Sequence, residues 1–500
     1  MRFRILALAL AALAAPALQA QTSCTTTPCT YANARTDLTA ASETVPTRCS
    51  PAPCTMSSAD LNSAGVTYHD VTDANILPGI TGHGDFSTTN SIDFGWSIDD
   101  SSFEVDNVAG SLIPFKFNTT TLATSTINCT NGSDANCSSP GANGFVNLPA
   151  TDGSYSKVTP NIVFISNGSA IESIDFRGTL TNPATSTVTT SLGAPGSCSG
   201  AASSSLGIIV TGSASDQRIS VPMGPSQDNY VGAYIIDKTL GCRYLNTSTG
   251  VVGGAWGTSG ATVWHDENGN PISGVTYSDA HGSQISPNGR WVTIDSESGA
   301  YEDFWDVATN NIYRCGTTTG SGTCAGHGVW GQGNTIYFYL NSTESVFQTH
   351  TFPPALPSGQ LYLNTNPPVP TGYGSYAYDS HQNWINNSGG DTVPMIVESY
   401  CNPIPGGGCP APTVAWDDEL TMIPPQGSGP ISRLAHAYTT DADFHANGLP
   451  QISPSGKFAI FCSNWGAGGR DDVFLIATQV ILGSGPSGPP SFPLLPVVQR

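Results

Sequence analysis

The sequence predicts an all-β fold built from stacked copies of one strand-turn-strand unit. The first observation is a repeat: Gln-Ile-Ser-Pro-x-Gly occurs at 284–289 and again at 451–456. In full the copies read QISPNGRWVTIDSESGAYEDFWDV and QISPSGKFAIFCSNWGAGGRDDVFLI, a short strand, a turn, an aromatic-rich strand, a polar loop and another strand. Such a unit cannot bury both faces alone, so copies must stack. The second observation is period. Apolar residues alternate, as over 291–295 (WVTID) and 335–339 (TIYFY), and no segment sustains a 3.6-residue repeat. The third is composition, with charged residues at only 11% against 55 Gly and 37 Pro, the mixture of a turn-rich β protein.

The unit resembles the WD40-like repeat of TolB-type β-propellers, whose turn reads Ser-Pro-Asp-Gly. The match is close for the two units just quoted and looser elsewhere. It implies a β-propeller whose remaining blades can be placed in order from strand and turn signals. Residues 92–117 open the series, because Trp96-Ser97-Ile98-Asp99-Asp100-Ser101 is a degraded form of the turn. Strand-rich segments follow at 158–177 and 218–247, then 281–315, 327–352, 381–423 and 445–476. Seven units over about 420 residues give about 60 each, against roughly 40 to 50 in compact propeller repeats, so long loops must absorb the excess. Seven blades are expected, with six or eight also compatible with the spacing.

Residues 1–20 carry Arg2 and Arg4, an apolar stretch and small residues at Ala15, Ala17 and Ala20, the pattern of a secretory signal peptide. Residues 21–60 read as a Cys-rich arm, 61–482 as the propeller and 483–500 as a flexible Gly/Pro-rich tail. Export to an oxidising compartment, extracellular or periplasmic, fits the 13 cysteines, most of which fall into close pairs. Cys24/Cys29, Cys49/Cys54, Cys129/Cys137, Cys315/Cys324 and Cys401/Cys409 each close a short loop, and Cys198/Cys242 a longer one. Cys462 is left as a buried free thiol in an apolar strand.

Charge narrows the partners. Two of the 16 basic residues lie in the signal peptide, leaving 14 against 37 acids and a mature net charge near −23. Nucleic acid and anionic membranes need a basic footprint and are excluded as partners. No later segment approaches the roughly 20 apolar residues of a membrane span, so a non-inserted monomer is expected.

Candidate site residues come from aligning the units. His281-Gly-Ser-Gln284 and His381-Gln382-Asn-Trp384 match without a gap, His327-Gly-Val-Trp330 opens the same way, and His83-Gly resembles it. His445 stands three residues further upstream in the last unit. In a propeller the first strand of each blade lines the channel, so His83, His281, His327, His381 and His445 would converge as a ring. Imidazoles meeting at one point suit a divalent transition metal such as Zn or Mn, with Gln284 or Gln382 as further ligands. The competing reading is structural: Gly-His pairs of WD40-type repeats hydrogen-bond within their own blade, and Gly82-His83 and Gly326-His327 fit that pattern. A metal ring would resemble that of the oligogalacturonate lyases, although this chain lacks any His-x-His. Trp330 and Trp384 share one position and would either stack on a sugar or pack between blades.

Other signals have simpler explanations. Gly326 to Gly331 satisfies G-x-G-x-x-G, but a strand follows where a dinucleotide site needs a helix. Asp266 to Asn270 resembles a calcium loop, yet Pro271 and Tyr277 replace the required Gly and Glu, so a hairpin is expected. Acid pairs at Asp99/Asp100, Glu302/Asp303, Asp417/Asp418/Glu419 and Asp471/Asp472 include residues such as Asp303 and Asp471 that would cap loops. The functional expectation is an extracellular binding module for glycan or protein. The alternative is a metal-dependent polysaccharide lyase or hydrolase using the histidine ring.

Overall fold

The computed structural model describes residues 45–57, 66–89, 92–138, 143–198, 201, 205–224, 229–266, 269–273, 275–278, 280–296, 302–315, 328–331, 335–339, 347–351, 361–362, 378–384, 395–401, 418–423, 432–440, 447–466 and 469–478. Among these, strands dominate and the longest helix is the five-residue Arg177–Thr181. No described helix is long and apolar enough to cross a membrane.

Among the described residues, seven sheets of four to six strands follow one another along the chain, antiparallel except where Val263–Asp266 runs parallel to Asn311–Cys315, with one extra two-stranded ribbon, Cys137–Ser138 against Phe145–Val146. They are numbered here by their first strands. Sheet 1 begins at Phe86–Ser87, sheet 2 at Gly153–Tyr155, sheet 3 at Thr211–Gly212 and sheet 4 at Ala280–Ile285. Sheets 5, 6 and 7 begin at Gly328–Trp330, Tyr378–Asn383 and Gly448–Ile452. Each of the seven segments expected from sequence contributes to one sheet.

The last sheet joins the two ends of the chain. Thr67–Asp70 pairs antiparallel with Asp472–Ala477, and Cys54–Ser57 adds outside it. The latter strand belongs to the segment read from sequence as an arm, because its polar residues carry no strand pattern. Arg48 clamps the junction: Nε lies 2.7 Å from Asp70 and Nη2 lies 2.7 Å from Asp472.

The Ser-Pro-x-Gly turns explain why the repeat was conspicuous in only two units. In both, the glycine N–H donates to the serine carbonyl at 2.8 Å, Gly289 to Ser286 and Gly456 to Ser453. The residue opening the next strand donates to the serine hydroxyl, Trp291 at 2.9 Å and Phe458 at 3.2 Å. Both glycines have left-handed backbones, with φ of 69° and 70°. Sheet 1 makes the same turn with Asp100 (φ 58°) in the glycine position, as the degraded motif suggested. Sheet 3 repeats it with Asp216 (φ 54°), unrecognised in sequence because aspartate also tolerates that region. Sheet 2 has a form one residue longer, Ser156 to Ile162, with Asn161 at φ 56°.

These substitutions tie sheets together. Asp100 accepts a hydrogen bond from Ser455 N of sheet 7 (3.3 Å), and Asn161 accepts one from the Ser102 hydroxyl of sheet 1 (2.6 Å). Asp216 accepts from the Ser156 hydroxyl and from Lys157 N (3.0 Å), both beside sheet 2. Ala214 N of sheet 3 donates to Pro287 O at the turn of sheet 4 (2.8 Å). A belt of turns thus links sheets 7, 1, 2, 3 and 4 in order. Between the sheets lie aromatic and aliphatic cores: Trp96, Phe103 and Phe117 of sheet 1 meet Phe458 of sheet 7, with Phe117 and Phe458 centroids 4.9 Å apart. Burying each such ring stabilises the fold by about 1.5 to 3 kcal/mol.

The cysteine pairing agrees wherever it is described. Cys49–Cys54, Cys129–Cys137 and Cys198–Cys242 are disulfides, and Cys462 is a buried free thiol whose pKa burial pushes up to about 12. Cys24, Cys29, Cys324 and Cys409 lie outside the described residues, so three expected pairs do too. The hairpin expected at 266–271 is present: Val263–Asp266 pairs with Pro271–Ile272, and Asp266 accepts from Asn270 N at 2.7 Å.

Candidate functional site

The first strands of sheets 1, 2, 3, 4 and 7 enter from a sheet-to-sheet connection and leave through a serine turn. Counting back five residues from the turn serine reaches His281 in sheet 4, the position of the expected histidine ring. Of that ring, His327 and His445 lie outside the described residues. His381 is buried, and its Nδ1 is 3.1 Å from the Asn447 carbonyl, a bond between sheets 6 and 7. His83 stacks on Phe86 with centroids 4.6 Å apart and sets its Nδ1 3.1 Å from Gly84 O, which orders its own turn. His281 is half-buried on the first strand of sheet 4. Among the described residues, metal-binding side chains close to within 4.8 Å as a group of three only at Cys49, Cys54 and Asp70, where both sulfurs are in a disulfide. The described histidines therefore make no coordination sphere by themselves.

Gln284 spends its amide on the fold, donating to Gly328 O of sheet 5 at 2.7 Å. Gln382 is buried on the first strand of sheet 6. Trp330 and Trp384, read from sequence as a sugar platform or as packing between blades, are each 1% exposed. Trp330 stands edge-on to Phe304 of sheet 4 at 6.4 Å, and Trp384 packs in the cluster that holds Val329 and Met395. Among the acid pairs noted in sequence, Asp303 forms a two-pronged bond with Arg314, Glu419 with the buried Arg433, and Asp472 binds Arg48 and Arg470.

A different acidic group emerges one rung deeper, four residues before the turn serines. There Asp93 precedes Ser97 and Asp152 precedes Ser156, whereas sheets 3, 4 and 7 place Ile209, Gly282 and Leu449. The two carboxyl groups repel one another electrostatically, and neither oxygen of Asp93 has a hydrogen-bond donor. Glu104 and Asp106 join them from Ser102–Asn107, two residues apart and so on one face of the strand. All four are buried, Asp93 and Glu104 completely. Neither carboxylate oxygen of Glu104 has a hydrogen-bond donor. Space for it exists because residue 153 is glycine: a β-carbon there would stand 3.1 Å from Glu104 Oε1 and 2.6 Å from Leu112 Cδ2.

Burial pushes the Asp93 and Glu104 carboxyls well above the usual range, and the neighbouring charges, Asp152 foremost, push further. Asp106 is pushed up to about 9, again by burial and then by Asp152. One cation faces the group: the buried Lys157, brought down to about 8 by desolvation, is partly held up by Asp216 and Asp93 and donates to Gly212 O at 2.7 Å. Carboxylates in such a place must carry protons or face a positive ion. Because Asp93 and Glu104 expose no surface, a polymer cannot touch them. Sequence reading missed the cluster because its members come from three separated segments.

No protein-family model matches the sequence, and no curated protein matches it. Solved structures do. An oligogalacturonate lyase in complex with manganese aligns over 86% of this chain and 96% of its own, at 11% identity and a TM-score of 0.48. An oligogalacturonate lyase from Vibrio parahaemolyticus aligns over 89% and 98%, at 10% identity and 0.46. TolB from Acinetobacter baumannii aligns over 79% and 64%, at 9% identity and 0.30. The resemblance is to β-propellers, and it is distant.

Proposed function

We propose that the chain is an exported, closed, seven-bladed β-propeller that binds an extracellular glycan or protein on the face opposite the serine turns. The observation that carries this reading is the asymmetry of the two ends of the first strands. At one end the serine turns of sheets 1, 2, 3, 4 and 7 are short and tied into a belt. At the other end the connections are long, and two are braced: residues 127–152 between sheets 1 and 2 contain Cys129–Cys137, and residues 194–210 between sheets 2 and 3 are anchored by Cys198–Cys242. Loops held on a rigid scaffold are where binding residues concentrate. Disulfides suit an oxidising compartment. A net charge near −23 turns the protein away from polyanions and toward neutral or basic ligands.

The test is a glycan array and an extracellular-protein array probed with labelled mature protein, beside a variant shortened across 131–144. A ligand bound by the wild type and lost in the folded variant supports the reading. Cleavage of any offered polysaccharide, seen as new reducing ends, would replace it with the lyase or hydrolase reading.

A further inference from the structure

We propose that the acidic cluster between sheets 1 and 2 is a calcium site whose ligands are Asp93, Glu104 and Asp152. Acidity alone does not carry this. The deciding feature is Glu104: fully buried, with both oxygens unpartnered, it reaches across to the first strand of sheet 2 and lies over Gly153, the residue after Asp152. The buried Thr151 hydroxyl, next to Asp152 in sequence, also lacks a hydrogen-bond partner.

The donor set selects the ion. It consists of oxygens with no sulfur or imidazole among them, which favours a hard cation over zinc. Magnesium needs near-ideal octahedral geometry and keeps several waters, whereas calcium accepts irregular carboxylate sets. Three carboxylates around a dication leave one negative charge, and Lys157, which interacts electrostatically with Asp93, offsets it. The three side chains do not all lie within 4.8 Å of one another, so binding draws Glu104, Asp93 and Asp152 inward. Each proton held by the cluster leaves as calcium enters. This inference does not rest on the binding face proposed above, although Thr151 and Asp152 close the 127–152 connection.

Mature protein freed of metal with EDTA and then of EDTA is titrated with calcium chloride by calorimetry at pH 7.5 in two buffers of different ionisation enthalpy. Magnesium and zinc chlorides serve as comparators. One calcium per chain is expected, with proton release, and binding at least about 100-fold weaker in Glu104→Gln and Asp152→Asn. Glu172→Gln, an acid on another strand of sheet 2, should bind as the wild type does. Circular dichroism and thermal unfolding establish that the variants are folded; the near-isosteric Glu104→Gln should be at least as stable as the wild type in EDTA. No calcium uptake at millimolar concentration, or unchanged uptake in both ligand variants, overturns the site and leaves the acids as proton-holding groups.

Discussion

Gly153 and Glu104 are fitted to one another: a single β-carbon on residue 153 would stand 3.1 Å from the Glu104 carboxylate and 2.6 Å from Leu112 Cδ2. Leu112 is completely buried and cannot retreat without repacking the core it shares with Val146, Val163 and Ile165. Gly153→Ala is therefore expected to destabilise the protein by about 1 to 3 kcal/mol, the usual penalty for overpacking. A urea unfolding midpoint that falls at constant slope is the expected result. An unchanged midpoint would show that the interface between sheets 1 and 2 is looser than described.

Stability should fall as pH rises above neutrality when calcium is absent. The folded-state pKa of Asp106 is raised from 3.8 to about 9, so its contribution is complete below about 3.8 and is lost as pH climbs toward 9; Asp93 and Glu104 have the same sign. His69 opposes them lower down: burial lowers it from 6.5 to about 4, so its contribution is present above 6.5 and is lost as pH falls toward 4. Lys157, lowered from 10.5 to about 8, opposes them again as pH rises above 8, so the clean window is pH 6.5 to 8. Each proton retained only by the folded state tilts stability by about 1.4 kcal/mol per pH unit. Thermal unfolding in EDTA across that window should show a declining midpoint in the wild type and a shallower decline in Asp106→Asn.

The belt of turns makes a contrasting pair of predictions. Gly289→Ala forces a β-carbon into a left-handed backbone and should cost about 1 kcal/mol. At Asp216 glycine would relieve that same backbone cost, yet it removes the acceptor for the Ser156 hydroxyl and Lys157 N. Losing the acceptor of two buried donors outweighs the gain, so Asp216→Gly should destabilise by about 1 to 3 kcal/mol. If Asp216→Gly instead stabilises, as relief of backbone strain alone would have it, the belt contributes little. Chemical denaturation of both variants beside the wild type decides between these outcomes.

How much of this was legible in the sequence depended on whether a feature was local. The turns at Gly289 and Gly456, the pairs Cys49/Cys54 and Cys129/Cys137, and the 266–271 hairpin are written in short segments, and the structure has each where its segment predicts. Asp216 hid a turn because the eye seeks glycine at a left-handed position, although aspartate also tolerates it. The tryptophans were ambiguous: period and position are the same for a sugar platform and an interblade wedge, and only burial separates them. Asp93, Glu104 and Asp152 were invisible as a group, since a cluster built across two sheets has no sequence spacing.

Arg48 offers the sharpest test of how the chain ends are held. It joins two strands about 400 residues apart in sequence, binding Asp70 through Nε and Asp472 through Nη2 at 2.7 Å each, with its guanidinium carbon 5.4 Å from the centre of the Phe474 ring. Both acids are essentially buried, and burial raises the pKa of each while Arg48 and, for Asp472, Arg470 pull it down. Arg48→Ala would leave Asp70 without its guanidinium partner and facing Asp472, a loss of about 2 to 4 kcal/mol after allowance for the quarter of the arginine side chain that meets solvent. Lysine supplies charge but not the fork, so Arg48→Lys should recover only part of the loss. Limited proteolysis supplies the site-specific readout. Cleavage near residues 45–57 should accelerate in Arg48→Ala well before the rest of the fold yields, whereas uniform acceleration across the chain would mean that Arg48 stabilises the whole molecule without acting as a clasp.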